Sequence, residues 1–76
     1  MTTNDTAACR RVSKLAKLYA IHDVAARTDN EAKMLTICRM VHATISEMIE
    51  AQGPEATAEH IMDARRRANG NTYHAV

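Results

Sequence analysis

Apolar positions recur along this chain with helical spacing in three consecutive blocks. In the first, Ala8, Val12, Leu15, Tyr19, His22 and Ala26 follow one another at intervals of four and three, and Leu18, Ile21 and Ala25 widen the stripe. Asn4-Asp5-Thr6 supplies good N-caps just ahead of it, so the pattern predicts a helix over about residues 6–26. In the second block Met34, Cys38, Val41, Ile45 and Met48 repeat four-three-four-three, flanked by Ile37 and Ile49, which predicts a helix over about 29–52. Thr28-Asp29-Asn30-Glu31 has the form of a capping box, with Thr28 as the cap and Glu31 reaching back. Gly53 suits a helix C′ position and Pro54 the first turn of the next helix.

The third block is poorer. It runs over about 55–68 and offers Ala58, Ile61, Met62 and Ala64 as apolar contacts. Asn69-Gly70-Asn71 reads as its stop, with a frayed tail to residue 76. The pattern as a whole gives one small all-α domain over 1–76. Its expected form is an antiparallel two-helix hairpin plus a short third helix in a small helical bundle. The short link near Thr28 folds the first two helices back on each other, which brings Tyr19 near Cys38, Leu15 near His42 and Val41, and Val12 near Ile45. Glu47 then falls beside Arg10 or Arg11.

Composition changes this picture in one respect. The chain has fourteen alanines and five methionines but no Phe or Trp, so it forms helices readily and fills a core thinly. With 76 residues, it belongs to a size class that buries only about 60% of its unfolded surface even with large side chains. A third helix so poor in bulk is expected to leave the hairpin stripes partly wet. Either the third helix closes a minimal three-helix bundle, or two hairpins pair into a four-helix bundle with the third helix as a flank; the sustained four-three spacing favours the second, a homodimer. Cys9 and Cys38 come out roughly 15 Å apart along the helix axes, too far for a disulfide, and read as free thiols. No run approaches the length of a membrane span and the first residues lack a secretory pattern, so the expected location is cytoplasmic, with no membrane partner.

Charge excludes further classes. A net charge of +1 at 25% charged residues is not that of a dedicated nucleic-acid arm or a disordered polyampholyte. Two basic clusters stand out: Arg10, Lys14 and Lys17 on one side of the first helix, and the Arg65-Arg66-Arg67 triple near the end of the third. Guanidinium groups grip carboxylates and phosphates bidentately, which makes both clusters candidate partner- or anion-binding sites. The helix dipole and i,i+4 pairing to Asp63 and Glu59 offer the triple a purely structural role instead.

Catalytic signals are absent. His22 and Asp23 are sequence neighbours that point about 100° apart, and Thr44 and Ser46 lie mid-helix without an activating turn. Cys38 and His42 are one helical turn apart with His22 as the only further donor, short of a zinc set, so no metal or other cofactor is expected. The chain therefore reads as a non-enzymatic regulator or inhibitor that binds a protein partner with an acidic surface. A phage or mobile-element inhibitor of host defence machinery has this character. Met40, apolar but off the seam, points the same way, because methionine is favoured at adaptable contact surfaces. Two alternatives accompany it. One is a binder or sponge of a small anionic, cyclic-nucleotide-like ligand held between protomers, with Tyr19 and Lys17, or Tyr73 and the arginine triple, as stacking face and charge. The other is a nucleic-acid-binding helical protein.

Overall fold

A computed structural model describes residues 3–74, with side-chain surroundings from Ala7 to Asn69. Three helices pack compactly: α1 (Thr3–Arg27), α2 (Glu31–Gln52) and α3 (Pro54–His74). No strand occurs among the described residues. The central element is α1, which packs against α2 and α3 to a similar extent, while those two touch each other less.

That double contact explains the breadth of the α1 stripe. Val12, Leu15, Ala16, Leu18 and Ala25 are buried, and Ala8, Tyr19 and His22 are half-buried. Ala26, expected on the stripe, is exposed. On α2 the buried positions are Ile37, Thr44 and Met48, flanked by half-buried Val41 and Ile45. The seam therefore lies slightly to one side of the expected line, and Cys38 sits outside it, exposed. A threonine can occupy that buried position because its hydroxyl donates to the Met40 carbonyl at 2.9 Å and leaves no polar atom unsatisfied.

The third helix departs most from expectation. It packs on α1 through Ala64, part of the shared cluster, and half-buried Ile61 against it; Thr57 and Ala68 are buried as well. Thr57, Ala64 and Ala68 are small, and small side chains allow neighbouring helices to approach closely, so little bulk is needed to exclude water. The inner cluster joins Val12, Leu15, Ala16, Met48 and Ala64 from all three helices. Part of the cover for the α1 stripe thus comes from α3 of the same chain. Met62, assigned to the contact face, is 64% exposed, and Ala58 is exposed as well. The helix also runs through Asn69-Gly70-Asn71 to His74, where a stop was expected. An interior glycine costs a helix only about 1 kcal/mol, which does not end it unless the chain also turns left-handed there. Of the expected tail, positions 75–76 lie outside the described residues.

The two links are built differently. Asn30 N–H donates to the Ala25 carbonyl at 2.9 Å and Asp29 N–H to the Ala26 carbonyl at 3.3 Å, with Asp29 at φ 54°. This is a Schellman closure with an aspartate in the left-handed place usually held by glycine. Thr28 closes α1 instead of opening α2: its hydroxyl donates to the carbonyls of Val24 (3.1 Å) and Ala25 (3.2 Å). The N-cap of α2 is Asn30, whose side-chain oxygen accepts from Lys33 N–H at 3.1 Å. The expected box at Thr28 and Glu31 therefore does not form, because the left-handed Asp29 moves the start of α2 two residues on. The second link is Gly53 alone, at φ 88° and ψ 165°, a region nearly closed to other residues. Its N–H donates to Ile49, and its carbonyl accepts from Thr57 N–H (3.2 Å) and the Thr57 hydroxyl (2.7 Å), with Pro54 as the first residue of α3.

Candidate functional site

Two open hollows flank α1, and the basic groups divide between them. The first, of about 620 Å³, is formed by α1 and α2. Arg10, Lys14 and Lys17 line it at successive turns of α1, around an apolar floor of Leu18, Ile21 and Met40, with Cys9 and Ser13 at its edge. Leu18 is buried, whereas Ile21 and Met40 are 40% and 44% exposed, so the floor is apolar surface open to water. No acidic residue lines this hollow, and among the described residues none of its three cations enters an ion pair. A neighbouring smaller hollow continues the apolar strip along α1 through Ile21 and Val24 to Lys33. Met40, apolar and off the α2 seam, closes the floor of the basic hollow.

The second hollow, of about 560 Å³, takes residues from all three helices. Tyr19, Val41, Ile45 and Ala68 form its base, and His22, Asp23, Cys38, His42, Arg65 and Asn69 its rim. Arg65 is placed here because it follows Ala64 on the buried face of α3. Its guanidinium lies over the Tyr19 ring at 4.7 Å from the centroid, a cation–π contact worth about 0.5–1 kcal/mol at an exposed site.

The arginine triple is therefore split by the helical turn. Arg65 faces α1, and Arg67 pairs with Asp63 at 3.3 Å within its own helix. Arg66 is exposed and, among the described residues, without an ionic partner. The helix pairing foreseen for Asp63 exists, while Glu59 enters none among the described residues. Among those residues Glu47, Arg10 and Arg11 form no ion pair either. The side chain of Tyr73, the second candidate stacking face, lies outside the described residues.

Two features of this hollow were not foreseen. Tyr19 meets Arg65 rather than Lys17, and Asp23 shares the rim with that arginine. Reading Ala64 and Ala68 as the α3 contact face would have found both, because Arg65 then flanks the seam.

Cys38, His42 and His22 do gather on one rim, but no group of three such donors among the described residues is placed to hold a metal ion. No hydrogen bond links His22 to Asp23, and the Thr44 hydroxyl is committed to its own helix. Among the described residues no helix is long and apolar enough to cross a membrane. No protein-family model matches the chain, and neither a curated protein nor a solved structure matches it.

Proposed function

We propose that the protein is a non-enzymatic regulator or inhibitor that acts by docking an acidic amphipathic helix of a protein partner into the Arg10, Lys14, Lys17 hollow. The observation that carries this reading is the union of three cations, unpaired among the described residues, with an exposed apolar floor and no acidic residue in its lining. Apolar side chains of a partner helix would cover Leu18, Ile21 and Met40, and its carboxylates would meet the rim. The arrangement also supports an antiparallel α1–α2 hairpin as its frame, since Leu18 and Ile21 share one hollow with Met40, and Tyr19 shares the other with Val41. Inhibition of host defence machinery by a phage or mobile element is one setting in which such a module would work.

A photo-crosslinker at Met40, followed by binding measurements on the captured partner, tests this. The double variant K14E/K17E is expected to weaken binding at least tenfold and leave the melting temperature within about 3 °C, because both lysines are exposed. Undiminished binding by that variant overturns the proposal. Lysine-dependent binding of a generic DNA duplex, lost steeply as salt rises, replaces it with the nucleic-acid reading. Self-association rests now on exposed Leu35, Ile49 and Met62, which neither hollow uses, and sedimentation across a tenfold concentration range decides it.

A further inference from the structure

We infer that the hollow between Tyr19, Asp23 and Arg65 is a binding site for a nucleoside monophosphate. This inference is independent of the docking reading, which uses other residues on another face.

Three observations point to that ligand class. The first is a pair of opposite charges, Arg65 and Asp23, on one rim; they are not joined in an ion pair, and among the described residues neither is committed to another charge. A ligand that carries an anion at one end and an N–H donor at the other satisfies both, whereas a simple anion meets only Arg65 and is opposed by Asp23. The second is the floor. Val41 and Ile45 offer an apolar face, and the guanidinium over the Tyr19 ring holds the cation beside it. The third is size: about 560 Å³ lies within the range of sites for small organic ligands and exceeds what a free phosphate would occupy.

A purine nucleoside 5′-monophosphate joins these features in one molecule. Its phosphate accepts from the Arg65 guanidinium, its base covers Val41 and Ile45, and the exocyclic amine of the base donates to the Asp23 carboxylate. A single phosphate also matches a single guanidinium; a triphosphate adds charge that Asp23 opposes.

The molecule carries its own reporters. Cys38 stands on the rim of this hollow and Cys9 on the edge of the basic one, and both thiols are free and exposed. The experiment alkylates the full chain with iodoacetamide while adenosine 5′-monophosphate or guanosine 5′-monophosphate is titrated, and reads each cysteine by mass spectrometry. Saturating nucleotide is expected to slow Cys38 at least fivefold and leave Cys9 unchanged. Adenosine and ribose 5-phosphate, each lacking one end of the ligand, are expected to protect at least tenfold more weakly by concentration, and adenosine triphosphate more weakly than the monophosphate. R65Q and D23A are each expected to shift the protecting concentration upward about tenfold or more.

Absence of Cys38 protection at 10 mM of either monophosphate overturns the inference, as does protection that R65Q leaves unchanged. Should R65Q fail to fold, C38W places bulk over the hollow from an exposed helix position, and calorimetry carries the same decision. Loss of the heat of binding agrees with the site, and an undiminished heat refutes it.

Discussion

The two hollows on either side of α1 are similar in size and differ in nearly everything else. One is formed by two helices, carries charge of a single sign, and has an apolar floor open to water. The other is formed by three helices, carries opposite charges on one rim, and places an arginine against a ring. A single-sign rim around exposed apolar surface suits a large, complementary surface. A mixed rim around an apolar base suits a small molecule with two different ends. The difference traces to α3, which contributes Arg65, Ala68 and Asn69 to one hollow and nothing to the other.

The largest expected effect removes the comparison altogether. Leu15 is fully buried in the cluster shared by the three helices, so L15A should cost about 2–5 kcal/mol in chemical denaturation and weaken both hollows together. A smaller change should separate them. Ala64 is fully buried where α3 meets the central cluster, and A64L would force the helices apart at a cost of about 1–3 kcal/mol. Arg65 should then lose its place over Tyr19 while the basic hollow, lined by α1 and α2 alone, keeps its geometry. Partner binding at that hollow should survive in A64L, and Cys38 should lose its protection by nucleotide. The smallest effect concerns the triple itself. D63N removes an ion pair whose members are 39% and 48% exposed, so a loss of no more than about 0.5 kcal/mol is expected.

How much of this could be read from the sequence depended on whether one helix sufficed. Arg10, Lys14 and Lys17 share a face of a single helix, and their spacing alone placed them together. The two long helices were equally legible, because their apolar repeats are strong. The role of α3 was legible only in part: Ile61 and Ala64 do pack at the core, but the buried Thr57 and Ala68 escaped notice, since small or polar residues carry little signal in an apolar repeat. Bulk was the wrong measure there; closeness of approach decides how well a helix covers its neighbour. The site at Tyr19 inherits the same difficulty. Its members come from three helices, and their meeting depends on a register between α1 and α3 that no local pattern states. The link at Thr28–Asn30 was misread for a narrower reason: an aspartate took a conformation usually reserved for glycine.

The contrast between the two links bears on how the molecule can be altered. Residues 28–30 turn in solvent, all three exposed, whereas Gly53 is one half-buried residue locked by Thr57 and by the Gln52 side chain, whose Nε2 lies 2.8 Å from His60 Nδ1. Extra chain inserted at the first link would loop outward and leave the bundle intact, since lengthening a surface loop costs little entropy. The same insertion at the second would unseat α3, and with it the arginine that completes the three-helix hollow. New termini, fluorescent tags or a tethered partner therefore belong between α1 and α2, where the chain can be opened without disturbing what it holds.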